Sequence, residues 1–550
     1  MTATTFETHE VVNQPPPQPS VNLYESDPIL IGALEGVLDS TVEVALGDYG
    51  KFWGSAEARE LGRMANLHGP ALKPTDPFGH RVDQVEFHPA YHALVRRGAT
   101  AGLAVSLWDE EDETEKKRRH ALRAARLMMA AQSECGHLFQ LSSTSAALSV
   151  LTAAGDIGTE WLARALPRRY DHRFAPAADK AGITIGLGIT EKQGTLPFIE
   201  PSTRATRDEE TAGWTLTGHK WFLSAPQSDA FLVTAHAPEG ASLFLVPRLR
   251  ADGSVNAIRF VRLKDKLGNR SSATVEAEFA DAEAIVVGTL GTGNEGLATI
   301  LQHVRFDAAA MAVGVMRGAL AQAVHHARHR AIAGEHLLDQ PLMARVLADM
   351  TLDVAAATAL TIRIAHAMDK AAEDDGEAAY ARLVIPAAKY WITKTAIAVS
   401  AEALEAVGGN GYVEDHDLAR PYRDAPGWAL WGGPGNVLAL DVLKTVEDGA
   451  EAFDAAVGEI AVDLDRQAST SADLIREAAQ ACIADQGSAR ILVEQIALTA
   501  AAAALHRFAP RPITDAFVDT RLSGPWRASY GMLDARFDAR GIVDYAFPAS

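Results

Sequence analysis

Helical periodicity runs through most of this chain, but between Gly182 and Leu290 it stops. Six short segments there are often β-rich: Ile183–Ile189, Trp214–Thr217, Ala230–Thr234, Ser242–Val246, Ala257–Arg262 and Thr274–Phe279. Gly, Pro, Asp and Ser separate them. That spacing predicts strands joined by turns, and hence a β domain of roughly 100 residues. A β block between helical blocks restricts the chain to an α+β architecture. The expected order is an arm at 1–27, helical 28–181, β 182–290, helical 291–446 and a further helical domain at 447–550.

Within the helical parts, Lys116–Ala131 has amphipathic spacing, with Leu122, Ala125, Leu127, Met128 and Met129. The charge run Asp109–Arg119 is expected to be a solvated helix start, with its acids first. Long Ala-, Leu- and Val-rich segments cover 298–333, 341–374, 377–407 and 435–507, with Pro341 at a helix start. Gly408–Gly411 and Gly432–Gly435 interrupt them. The Pro15–Pro19 stretch favours an extended arm.

The 550 residues are 48% hydrophobic and 22% charged, which excludes global disorder. The net charge of −20 argues against a broad nucleic-acid or anionic-membrane surface. Two cysteines, Cys135 and Cys482, cannot build a disulfide framework, so a reduced cytoplasmic setting is expected. Residues 1–22 lack the basic start and apolar run of a signal peptide. The run Ile496–Leu505 is too short to span a bilayer and reads as a buried helix.

No metal site is expected: His325 and His329 share a helix face but lack a paired acid. Gly291–Gly296 reads as a turn, because no distal acid or strand–turn–helix setting accompanies it. Three loops carry chemical potential. Gly186–Gly194 offers amides and a Thr hydroxyl at a strand end, suited to a planar heteroaromatic ring. Gly218–Ser224 offers aromatics for stacking, and Gly408–Tyr412 lets backbone approach a ligand closely. Each loop alone is equally well a turn or a core strand.

Taken in order, these motifs resemble the acyl-CoA dehydrogenase family of flavoproteins, closest to its AidB-like, alkylation-response branch. The stretches that carry the likeness include Phe6–Pro15, Thr190-Glu191-Lys192-Gln193-Gly194, Gly218-His219-Lys220-Trp221-Phe222, Pro226–Asp229, Lys264–Ser271 and Leu438–Leu443. The resemblance implies a helical domain, a β-barrel and a C-terminal four-helix bundle, with an extra helical domain appended. It implies FAD, bound without covalent attachment, near Leu187, Ile189, Thr190, Phe222, Ser224 and Asn436. A neighbouring subunit would add the positions matching Arg330, Gln340, Gly408 and Gly409, in a homotetramer. Arg305 matches an arginine that holds the thioester end of an acyl-CoA substrate.

The sequence departs from the family pattern where the chemistry is done. The two positions that carry the catalytic Glu in family members hold Gly432 and Val304, and neither takes a proton. Gly432 also leaves room for an unusual substrate. Asp307, three residues beyond Val304, is a candidate replacement base. After Gly194 the usual Gly-Ser-Asp is absent, so the cofactor hydroxyl moves to Thr195 and the phosphate position becomes Leu196. Ala333 stands where a Phe is usual.

Three functions follow from the resemblance. One is acyl-CoA dehydrogenation with an unidentified base. A second is different flavin chemistry on the same fold, oxidation or oxygenation of a small molecule, which needs no strong carboxylate. The third is a DNA-associated protective or non-catalytic flavoprotein. Residues 451–550 hold nine Arg, no Lys and fourteen acids, a net charge of −5, the wrong sign for DNA. The second reading is therefore preferred, with a small-molecule substrate that includes acyl-CoA or another thioester among its candidates. No DNA or membrane partner is expected.

Overall fold

The computed structural model describes residues 8–36, 38–195, 197–208, 213–464, 470–523 and 536–548. Phe6, Glu7 and Leu196 lie outside the described residues. The chain opens with an extended arm laid on the body, where Val21 N donates to Gly54 O and Leu23 N to Gly50 O. Helices α1 (Pro28–Ala33), α2 (Ser40–Trp53) and α3 (Ala56–Leu67) follow. Asp39 caps α2 by accepting from Thr41 N and Val42 N. A hairpin of β1 (Ala71–Thr75) and β2 (Arg81–Glu86) then interrupts the region expected to be helical. Its turn, Asp76–His80, is closed by the Asp76 carboxylate, which accepts from Phe78 N and His80 N. Helices α4 (Pro89–Thr100), α5 (Arg119–Ser133), α6 (Leu138–Leu151) and α7 (Gly155–Ala165) complete this part.

The charge run Asp109–Arg118 is not a helix start. It forms turns pinned by arginines: Arg168 bridges Asp109 and Asp112 at 2.9 and 2.8 Å, and buried Glu115 pairs with Arg126. Asp109, Asp112 and Glu115 meet partners from outside the run, while Glu110, Glu111 and Glu113 stand exposed, so part of the run is solvated as expected.

The middle part contains β3 (Ile185–Gly188), β4 (Arg204–Arg207), β5 (Trp214–Ser224), β6 (Ala230–Ala237), β7 (Gly240–Pro247), β8 (Ile258–Leu263) and β9 (Thr274–Val287). The β5–β9 and β3–β6 pairings close the seven-stranded sheet into a barrel. Inward-facing Leu216, Phe231, Phe244, Phe260 and Val275 fill it. The segment Gly218–Ser224, expected as a loop, continues β5.

Helix α8 (Gly293–His329) has 37 residues and is about 55 Å long. A two-residue-turn hairpin follows, β10 (Ala331–Ile332) and β11 (Glu335–His336). Ala333 sits in that turn at φ +54°, beside Gly334 at +89°. Then come α9 (Pro341–Lys370), α10 (Asp375–Val407), α11 (Ala419–Leu430) and α12 (Gly435–Asp448).

The tail adds α13 (Ala450–Val462), α14 (Thr470–Ala484), α15 (Ala489–Phe508), α16 (Arg511–Phe517) and α17 (Ala539–Ala546). Helices α13 and α15 pack on α10, and α15 and α17 on α9, so the tail shares the bundle's core. Among the described residues one helix, Gln486–Phe508, is long and apolar enough to cross a membrane. In this fold its Ile496, Ala497 and Ala500–Leu505 are buried against the bundle, as a core helix requires.

Candidate functional site

The first group of expected cofactor residues gathers at the open end of β3. Leu187 lies opposite Ser224 and Gly188 opposite Leu223, while Trp221 N donates to Thr190 O at 2.8 Å. Gly186 is required here, since a Cβ would collide with Ser224 O. In β5 the pairing with β9 jumps from Lys220 to Leu223, and this bulge leaves Trp221 and Phe222 unpaired. Phe222 is consequently 46% exposed. The Lys264 ammonium lies 3.2 Å from the Trp221 ring centre and 4.7 Å from that of Phe222. Ile189 is half-buried beside this surface.

The loop after β3 is built around Glu191, a residue the sequence reading left without a role. Its buried carboxylate accepts from Lys220 Nζ at 2.5 Å, Gln193 Nε2, Ser202 N and Oγ, and Thr203 N. Burial alone would raise its pKa; Lys220 and the hydroxyls outweigh that and hold it well below the ordinary carboxylate range. Thr195, carried by this loop, has a buried hydroxyl oxygen with no partner in the chain. An exposed aromatic, a strand-end row of backbone groups and an orphaned hydroxyl together fit a large planar cofactor with polar substituents.

The second group lies elsewhere. Arg330 follows α8, 25 residues beyond Arg305, which at 1.5 Å per residue is about 37 Å along the helix. Its Nη1 donates to Asn13 O at 2.5 Å, while the Asn13 side chain grips both backbone groups of Ala331. The arm thus docks on this residue. Gln340 stands at the N-cap position of α9, and its Nε2 donates to Glu335 Oε2 at 3.2 Å. Gly408, at φ +74°, and Gly409 end α10, with open space beside both. The bonds printed for Arg330 and Gln340 go to the arm and to the β10–β11 hairpin.

Arg305 and the 432–434 loop form a buried anchor. Arg305 Nε donates to Gly432 O at 3.0 Å, and Nη1 to Asp441 Oδ2 at 2.6 Å. Lys389, fully buried on α10, donates to Gly433 O at 2.6 Å and Ala429 O at 3.2 Å. Burial, with Arg305 and Lys394 nearby, holds the Lys389 pKa well below its ordinary value. Sequence reasoning missed Lys389; its signal was a lone charge inside the apolar run Val384–Ile392. Asn436 is also engaged, accepting from Arg490 Nε of the tail at 2.8 Å. Beside the loop, the ring of Phe139 lies 4.7 Å from those of both Trp428 and Trp431. Gly432 itself lies between Val304 and Arg305, so the expected room beside it is not there.

Asp307 is not a replacement base. Three residues beyond Val304 leaves it about 60° round the helix, facing α5 and α6. There it is 1% exposed, bonded twice to Arg123 at 2.5 and 2.7 Å and to the Ser142 hydroxyl. Gly432 has φ +74°, and a Cβ would meet Val304 Cγ1 at 3.1 Å and Arg305 Cγ at 3.2 Å. Gly432→Glu is therefore expected to cost about 1–2 kcal/mol in backbone strain and to create no acyl-CoA dehydrogenase activity, checked by denaturation and by anaerobic flavin reduction.

His303 lies between Trp108 and His120. Burial, with His120 nearby, pushes its pKa down to about 3 from 6.5. The unfolded chain then binds the extra proton between those values, so stability falls as pH drops from about 6.5 towards 3. His303→Gln is expected to flatten the pH dependence of stability in that window by on the order of 2–4 kcal/mol, read from urea midpoints. Among the described residues no group of three His, Cys, Asp or Glu could hold a metal ion.

Residues 13–172 match the adaptive response protein AidB N-terminal domain, 186–282 the acyl-CoA dehydrogenase middle domain and 291–447 its C-terminal domain. Domain order, barrel and bundle agree with that assignment: the chain belongs to the acyl-CoA dehydrogenase family. Within the family it is similar to the putative acyl-CoA dehydrogenase AidB of Escherichia coli, at 42% identity over 453 residues, 82% of each chain. Acyl-CoA dehydrogenase family member 11 of Caenorhabditis elegans is 30% identical over 77% of this chain and 70% of its own. The structure of Caenorhabditis elegans ACDH-11 in complex with C11-CoA matches with a TM-score of 0.82 at 25% identity, covering 99% of both chains. A Bacillus anthracis acyl-CoA dehydrogenase complexed with FAD shares the fold, with a TM-score of 0.61 at 16% identity over 83% of this chain and 79% of its own.

Proposed function

We propose that this protein is a FAD-dependent oxidoreductase whose chemistry does not require a protein carboxylate to remove a substrate proton. The carrying observation is the 432–434 loop: Gly432 and Val304 have no acid–base group, and Asp307 is locked in an ion pair with Arg123. FAD, when bound, supplies the two-electron redox chemistry. Phe222 and the β3 end would bind and orient it, with the Thr195 hydroxyl available to a polar substituent. By the family resemblance, Arg330, Gln340, Gly408 and Gly409 would reach the cofactor of a neighbouring protomer in a homotetramer. Oxidation or oxygenation of a small molecule is the reaction class this reading favours.

The C11-CoA complex of the nematode relative supports a second reading, that acyl-CoA binds here without being oxidised. The tail does not favour DNA: Arg476, Arg507, Arg511 and Arg521 are each ion-paired with acids, and Arg466 and Arg527 lie outside the described residues.

The test is anaerobic mixing of FAD-loaded protein with short-, branched- and medium-chain acyl-CoAs. Absence of the base is expected to slow flavin bleaching by about 10²–10⁴-fold relative to an ordinary dehydrogenase, while dithionite still reduces the flavin. Rapid bleaching by any acyl-CoA overturns the reading. A shift of the flavin spectrum by C11-CoA without bleaching supports the second one.

A further inference from the structure

Three arginines lie on α8, and each has a carboxylate. Arg305 pairs with Asp441 at 2.6 Å, Arg317 with Asp27 at 2.6 Å and Arg328 with Asp544 at 3.1 Å. Arg330, just past the helix end, is half-buried and has no such partner among the described residues. The one hydrogen bond of its side chain there runs from Nη1 to the carbonyl of Asn13. A guanidinium carries five N–H donors, so most of its hydrogen-bonding capacity is uncommitted. A half-buried cation with free donors and no counter-charge suits an anion from outside the protomer.

Asn13 fixes the direction in which those donors face. Its amide grips the next residue on both backbone groups: Nδ2 donates to Ala331 O at 2.7 Å, and Oδ1 accepts from Ala331 N at 2.8 Å. The backbone of Arg330 is tied as well, its N donating to His326 O and its O accepting from Leu337 N at 2.8 Å. Bridging one residue's N–H and C=O takes a donor and an acceptor on a single planar group, which an amide has and a carboxylate lacks. Asn13 also sits at φ +55°, in the left-handed region that Asn enters more readily than most other non-glycine residues.

The arm carrying Asn13 is anchored along its length. Pro16 O accepts from His325 Nε2 at 2.9 Å, Gln18 O from Arg59 Nη2 at 2.8 Å, and Ser20 Oγ from Ala56 N at 3.1 Å. Pro15, Pro16 and Pro17 restrict the backbone between Asn13 and these anchors, which leaves little slack. The arm is thus a strut from the start of α3 to the end of α8.

We infer that Asn13 is a positioning residue for the cofactor. It holds Arg330 so that the free guanidinium edge meets an anionic group, the pyrophosphate of FAD bound with a neighbouring protomer. The inference rests on the reading that Arg330 reaches that cofactor, and adds that the arm, through Asn13, sets how tightly it does so.

Release of flavin on dilution of full-length FAD-loaded protein, followed by fluorescence, gives the affinity of each variant. Arg330→Met is expected to weaken FAD at least about ten-fold, through loss of a charge-assisted contact. Asn13→Ala is expected to weaken it about three- to ten-fold. Asn13→Gly, which accepts the same backbone angle but lacks the amide, should weaken it equally. In the Arg330→Met background, Asn13→Ala is expected to change affinity less than about two-fold, because the group it positions is gone. An arm with a merely structural role would cost the same factor in both backgrounds. Unchanged affinity in Asn13→Gly beside a weakened Arg330→Met overturns the positioning role alone, as do equal losses from Asn13→Ala in the two backgrounds. Unchanged affinity in Arg330→Met overturns the reading of Arg330 and this inference with it.

Discussion

Replacing Asp307 by alanine is expected to destabilise the protein by about 3–5 kcal/mol, whatever it does to turnover. Asp307 and Arg123 are 1% and 2% exposed at the side chain, and Arg123 Nε also donates to Leu103 O. Removing the carboxylate leaves a guanidinium buried without its counter-charge and the Ser142 hydroxyl without its acceptor. The cost is the desolvation of an unpaired charge, which exceeds the net worth of the pair itself. The urea midpoint, compared at constant slope, measures it. Replacing the pair together, as Arg123→Met with Asp307→Leu, is expected to recover much of the loss, because apolar packing stands in for a desolvated ion pair. A catalytic base would behave differently: Asp307→Ala would keep its stability and lose activity alone.

The second large effect is expected at Glu191. Glu191→Ala should cost about 3–5 kcal/mol and lower FAD affinity at least ten-fold, since the loop carrying Thr190 and Thr195 loses its anchor. Five donors converge on that carboxylate, and Lys220 would be left fully buried with only the Thr234 hydroxyl near its ammonium. Cofactor fluorescence during dilution reads the affinity, and denaturation reads the stability. Glu191→Gln keeps the acceptor but not the charge, so it should fall between wild type and Glu191→Ala. An affinity for FAD unchanged in Glu191→Ala would show that the loop does not position the cofactor.

These two residues show what a sequence can and cannot disclose. Glu191 and Lys220 both stand in quoted motifs, yet their pairing joins residues 29 apart across β3 and β5. Asp307 looked available because its helical position was legible, whereas its partners come from α5 and α6, 184 and 165 residues away. The β1–β2 hairpin escaped notice because its strands are short and half-exposed, without clean alternation. The continuation of β5 through Gly218–Ser224 was hidden by a glycine and a bulge, both of which imitate a loop.

By itself the sequence determined the order of helical and β parts, the family, the absence of a carboxylate at positions 432 and 304, and the acidic tail. The order of parts and the acidic tail are properties of periodicity and composition; the family, and the meaning of positions 432 and 304, rest on the resemblance of short motifs, which local residues also carry. Only the tertiary structure decided that Asp307 is half of an ion pair, that Arg305 and Lys389 hold the carbonyls of Gly432 and Gly433, and that the tail shares the bundle's core. Those depend on which faces meet, and burial turns such meetings into strong constraints by removing the water that would otherwise satisfy each charge.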